Sequence, residues 1–157
     1  LGLPPSEIVR RINAVLAKGN DMCMFVTAFV GVLDRATGVL EYCNAGHNPP
    51  LLAPPSGAPR LLDVRHNVPM GVMEGCLYAA QSTSLEKGTR LYVYTDGVTE
   101  AERIDHAQFG VERLSAFAVA HAKDDVRSLA PSLLAAVDAY TEEAPQFDDI
   151  TVLVLER

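Results

Sequence analysis

Leu91-Tyr92-Val93-Tyr94-Thr95-Asp96-Gly97-Val98-Thr99-Glu100 constrains the fold more than any other stretch of the chain. Its first half is apolar, aromatic and β-branched, a composition that favours a buried strand. The run then stops at an aspartate followed by glycine. A carboxylate at a strand end, next to a residue that lets backbone approach closely, suits a hard divalent cation. An isolated Asp-Gly is more often only a turn. A second acidic strand edge, Phe147-Asp148-Asp149-Ile150-Thr151-Val152-Leu153-Val154-Leu155, shifts the balance toward a shared metal site. On an extended chain, neighbouring side chains point to opposite faces, so only one of Asp148 and Asp149 is expected to ligate directly.

The rest of the chain divides into segments of clear type. Residues 1–18 are expected to form a helix, with Pro4, Pro5 and Ser6 at its start and Ile8, Ile12, Val15 and Leu16 on one face. Met24 to Leu33 reads as a long strand, Asp34 to Gly38 as a hairpin loop, and Val39 to Asn44 as the antiparallel partner. Ala45-Gly46-His47-Asn48-Pro49-Pro50 follows as a loop whose prolines fix its path. Leu51–Ala53 and Arg60–Val64 flank a Pro/Gly/Ser turn, Cys76 to Ser84 reads as a strand, and Glu86-Lys87-Gly88 turns into the strand that carries Asp96. Residues 109–122 and 126–141 have helical spacing, with Asp124-Asp125 as the cap of the second. A strand from Asp149 to Glu156 ends the chain. Several antiparallel strands with helices grouped at both ends of the chain point to an α+β layered domain.

Composition excludes several functions. With 157 residues the natural expectation is one domain. A net charge of −7 argues against a nucleic-acid surface, which needs clustered lysine and arginine. No apolar run is long enough to span a membrane. Cys23, Cys43 and Cys76 lack paired or CxxC spacing and lie in apolar runs, so buried thiols in a reducing compartment, the cytoplasm, are expected. None has a basic neighbour that would make it a nucleophile.

Taken together, Met24-Phe25-Val26-Thr27, Asn44-Ala45-Gly46-His47-Asn48-Pro49-Pro50, Pro69-Met70-Gly71, Tyr94 to Glu100, Phe109-Gly110 and Asp148-Asp149-Ile150-Thr151 resemble one family. This is the bacterial serine phosphatase domain of the sporulation stage II E and stress-response type, within the metal-dependent protein phosphatases. The resemblance implies a layered α/β/β/α sandwich of two antiparallel sheets flanked by helices. It also implies a site for two manganese or magnesium ions. Asp96 matches a metal-ligating aspartate, with the Gly97 backbone beside it, and Asp148 matches the ligand that opens the last strand. Asp149 stands where the wider superfamily often has asparagine, and Asp148 is favoured over it as the ligand. The implied substrate is a phosphoserine or phosphothreonine on a regulatory protein of the anti-anti-sigma type.

The resemblance also has a gap. The family's first metal-binding segment, of the Asp-x-Ser-Gly-His-Gly type, has no match here. The expectation is therefore a partial domain, residues 1–157, lacking its N-terminal part. Such a chain would bind metal weakly, have little activity and, with an uncovered strand edge, tend to form homo-oligomers. A non-catalytic interaction module of the same fold is the alternative.

Other residues carry two readings. His47 either donates a proton to the leaving oxygen or structures its loop, and the loop reading carries more weight. Asn48 is a candidate substrate contact, although Asn44 and Asn48 read more readily as turn-fixing. Arg90 and Arg103 could meet a phosphate but read first as surface charges. His66, His106 and His121 have no ligand spacing.

Overall fold

The computed structural model describes every residue except Leu1, Glu143 and Phe147. Along the chain, helix α1 (Pro5–Leu16) precedes strands β1 (Ala28–Leu33), β2 (Val39–Ala45), β3 (Leu51–Ala53), β4 (Arg60–Leu61), β5 (Gln81–Ser84) and β6 (Arg90–Tyr94). Then come the single helical turn α2 (Asp96–Thr99), helices α3 (Gly110–Ala120) and α4 (Val126–Thr141), and strand β7 (Val152–Glu156). Two antiparallel sheets with flanking helices make this an α+β fold, the class expected. The chain divides into two compact units, Leu1–Pro49 with Asp63–Leu85, and Pro50–Leu62 with Glu86–Arg157.

The first unit holds α1 and the sheet β1-β2-β5. Its hairpin forms as the sequence suggests, with Ala28 opposite Ala45 and Leu33 opposite Leu40. Asp34 closes the turn by accepting from the amides of Ala36 and Thr37, and its carbonyl accepts from Gly38 N. The expected strand from Met24 is shorter, because Met24, Phe25 and Val26 are exposed and only an isolated bridge joins Val26 to Met70. The strand expected from Cys76 likewise begins only at Gln81. Strand β1 is an edge of its sheet.

Helix α1 buries a different face from the one its apolar spacing suggests. Val9 and Asn13 are buried together with Pro5, whereas Val15 is 75% exposed and Ile12 and Leu16 are also exposed. Asn13 explains the choice. Its side-chain amide donates to Met73 O at 3.0 Å, and its carbonyl oxygen accepts from Gly71 N at 2.8 Å. A buried amide needs such partners, and these two lock the helix to the 71–73 loop. Val9 meanwhile joins Cys43, Ala45, Met70, Cys76 and Tyr78 in one apolar cluster. Cys43 and Cys76 are buried thiols, as expected, but Cys23 is exposed. It lies in a turn with φ of 52°, closed by Cys23 N donating to Asn20 O.

The second unit holds the sheet β4-β3-β6-β7 and helices α2 to α4. Leu51, Tyr92, Val98, Leu114, Leu129 and Leu133 are fully buried in its core. Asp125 caps α4 by accepting from Arg127 N, as its position predicts. Arg90 is not a surface charge. It is 8% exposed, its Nε donates to Glu156, and its two terminal nitrogens donate to the carbonyls of His121 and Asp124. It thus ties the β6–β7 pair to the chain leaving α3, which removes it from any part in phosphate binding.

Candidate metal and phosphate site

The β6–β7 ladder runs from Arg90 opposite Glu156 to Tyr94 opposite Val152. One residue beyond it, Thr95 continues the pairing in a modified form. Thr95 N donates to Thr151 O at 3.1 Å, and Thr151 N donates to the Thr95 hydroxyl at 2.9 Å. The same hydroxyl donates to Asp149 O at 2.8 Å. A serine or threonine hydroxyl both donates and accepts, which is what this position uses.

Gly97 comes next, and its role is close approach. A β-carbon there would stand 2.6 Å from Asp149 O and 3.1 Å from Asp149 C. Only a residue without a side chain lets the α2 turn seat against that backbone. The segments that follow β6 and precede β7 are thereby brought to one end of the strand pair. Val98, fully buried, anchors the turn from beneath.

Asp96, Asp148 and Asp149 are all exposed. Asp96 Oδ1 accepts from its neighbour Gly97 N at 3.1 Å, and Asp148 Oδ1 accepts from Asp149 N at 2.7 Å. Among the described residues no cationic side chain pairs with any of the three. Asp149 contributes its carbonyl to Thr95, a loop-fixing contact made through backbone. Hard carboxylate oxygens of this kind match the chemistry of magnesium or manganese. Their number falls short, because among the described residues no group of three or more His, Cys, Asp or Glu is placed to hold a metal ion.

Asp148 and Gly97 also line a cavity of about 370 Å³, whose other walls come from the segment after α2, from the C-terminal part of α4, and from Pro145, Gln146 and Ile150. Glu102 lies in its wall and accepts from Gln108, and its carboxylate faces His106 Nδ1 at 3.0 Å. The His106 and Gln108 contacts hold that carboxyl below its ordinary range.

His47 belongs to the other unit. Asn44, 4% exposed, grips its peptide from both sides: Asn44 Oδ1 accepts from His47 N at 2.8 Å, and Asn44 Nδ2 donates to His47 O at 2.7 Å. Gly46, with φ of 72°, packs so closely on Pro69 that a β-carbon would meet the ring at 2.8 Å. The His47 ring has Nδ1 3.4 Å from the Thr27 hydroxyl. Asn48 is half-buried on the same loop. His121 is satisfied by Asp124 at 2.7 Å, and Arg103 lies beside Asp105 and over the Tyr140 ring.

Sequence reasoning passed over Thr95, Asn13 and Asn67. Asn67 fastens its loop by donating to the carbonyls of Asn44 and Ala79 and accepting from Ala79 N. For Asn13 a signal existed: a poor helix former in the middle of a helix asks for a tertiary partner.

The stage II sporulation protein E (SpoIIE) family model matches residues 1–157. Protein IcfG of Synechocystis is 33% identical over 152 residues, covering 95% of this chain and 23% of that protein. Phosphoserine phosphatase RsbU of Bacillus subtilis is 26% identical over 163 residues, covering 99% of this chain and 46% of RsbU. The chain therefore spans less than half the length of either relative. In structure it is similar to the RsbU and RsbW domains of Rv1364c from Mycobacterium tuberculosis, with a TM-score of 0.82 at 26% identity, over 99% of this chain and 42% of that one. Solved structures of this fold include the phosphatase domain of SpoIIE from Bacillus subtilis, presoaked with manganese, and RsbX in complex with magnesium. Among the described residues no helix is long and apolar enough to cross a membrane.

Proposed function

The chain belongs to the stage II sporulation protein E family, and on that premise we propose that it is part of a metal-dependent protein serine/threonine phosphatase domain. Its substrate in this reading is a phosphoserine or phosphothreonine on a regulatory protein of the anti-anti-sigma type. The observation that carries the reading is the seating of the Asp96-Gly97 turn on the Asp149 backbone. It gathers the acids of two strand ends where a divalent ion and a phosphate would meet.

In this reading Asp96 and Asp148 hold the manganese or magnesium, with the Gly97 backbone beside them. When bound, such ions supply a water of lowered pKa and neutralise the phosphoryl oxygens. Thr95 and Asp149 keep the two acidic segments in register, through the hydroxyl–carbonyl bond between them. Asn44's double hold on the His47 peptide supports the loop-ordering reading of His47 over proton donation. Asn48 is the neighbouring candidate for contact with substrate.

The shortage of ligands among the described residues supports weak metal binding by this chain. It also favours the second reading, an interaction module that hydrolyses nothing by itself. Two measurements on the purified chain test these ideas. Titration calorimetry with manganese is expected to give weak binding that Asp96→Ala abolishes, and binding indifferent to that substitution would sink the metal assignment. Single-turnover assays on a phosphoserine peptide with manganese are expected to show little release of phosphate, and rapid release would overturn the weak-activity claim and the non-catalytic reading together.

A further inference from the structure

The cavity beside the acids has walls of two kinds. Val137, 1% exposed, and the half-buried Ala101 and Ile150 give it an apolar side. Glu100 and Asp138 give it an acidic side. Their carboxylates have no hydrogen-bond or ion-pair partner among the described residues, whereas Glu102 is already engaged by His106 and Gln108. At about 370 Å³ the space lies at the lower end of the range of small-ligand pockets, enough for one long side chain.

We propose that this cavity is a specificity subsite that receives an arginine or lysine side chain of the phosphoprotein, next to the phosphorylated residue. The inference rests on the phosphatase reading above and names a feature of its substrate. A long basic side chain has an aliphatic stem that covers apolar surface and a cationic head that seeks carboxylates. Those are the two surfaces the cavity offers.

Position adds to this. Gly97 and Asp148 belong both to the cavity and to the acidic strand ends, so its occupant lies next to the place assigned to the phosphate. A basic side chain there offsets the repulsion between a dianionic phosphate and this acidic rim. The chain's net charge of −7 draws basic peptides in the same direction.

The test needs no catalysis. The 157-residue chain, labelled at its methyl groups, is titrated with N-acetyl-arginine amide and with its neutral isostere, N-acetyl-citrulline amide. The expected result is that the arginine compound shifts the methyls of Val137 and Ile150 and citrulline does not. Asp138→Asn should weaken the response about fivefold, the factor carried by an ion pair of about 1 kcal/mol. Asp138 is an exposed helix position, and an unchanged spectrum of the free variant shows that it folds. Equal shifts with citrulline, shifts confined to other residues, or full binding by the variant would each overturn the subsite. The two readings fail separately. Arginine binding at Val137 with no turnover of any phosphopeptide by any protein that contains this chain leaves the basic-side-chain site and removes the phosphatase. Turnover of phosphopeptides by such a protein, without regard to flanking basic residues, does the reverse.

Discussion

The carbonyl oxygen of Asp149 lies 2.6 Å from where a β-carbon on Gly97 would stand. Two segments far apart in the chain thus meet backbone to backbone, and the candidate site depends on that contact.

Gly97→Ala is therefore expected to be destabilising although it adds one methyl group. The obstacle is backbone and not the end of a flexible side chain, so the α2 turn or the 148–150 segment must move. Overpacking of this kind costs about 1–3 kcal/mol. Urea denaturation should show the loss, and calorimetry should show manganese affinity falling with it. A variant as stable as the parent would mean that the turn has slack.

Asn13→Ala leaves Gly71 N and Met73 O without their side-chain partner inside the first unit. Stranding buried polar groups costs about 1–3 kcal/mol. The midpoint of denaturant unfolding should fall accordingly. Amide hydrogen exchange at Gly71 should accelerate, and unchanged protection there would refute the staple.

Cysteine reactivity should sort by burial. Cys23 is exposed, whereas Cys43 and Cys76 are buried and burial pushes the Cys43 thiol up. Because the thiolate is the reactive form, Cys43 is shielded both by access and by protonation. One fast thiol per native chain with a disulfide reagent, and three after denaturation, is the expected count.

Glu7 supplies a pH dependence. Hydrogen bonds from Arg10 and Arg11 hold its carboxyl down at about 2, against an ordinary value of 4.5. A carboxyl lowered in the folded state contributes stability in full above 4.5, and the contribution fades as pH falls toward 2. The stability difference between the parent and Glu7→Gln should therefore be present at neutral pH and close up between those two values. A carboxyl carbon titration by NMR with its midpoint near 4.5 would contradict the pairing.

Local signals carried much of the fold. The Asp34–Gly38 turn and the Asp125 cap are each specified within a few residues, because hydrogen bonds to nearby backbone decide them, and the aromatic, β-branched run of β6 favours a strand by its composition. The motif order likewise pointed to the family that matches the whole chain.

What the sequence alone determined was which residues are acidic, where the chain turns, and that Asp96 and Asp148 lie in the short segments that follow β6 and precede β7. Tertiary structure decided which surfaces are covered. The spacing of Ile8, Ile12, Val15 and Leu16 marks an apolar face, but the partner loop offered Gly71 N and Met73 O, and so Asn13 and Val9 turned inward instead. It also decided that Arg90 is an internal tie and that Thr95 reaches Asp149 across 54 residues. Periodicity describes a segment against itself, whereas burial and register depend on what the rest of the chain presents to it.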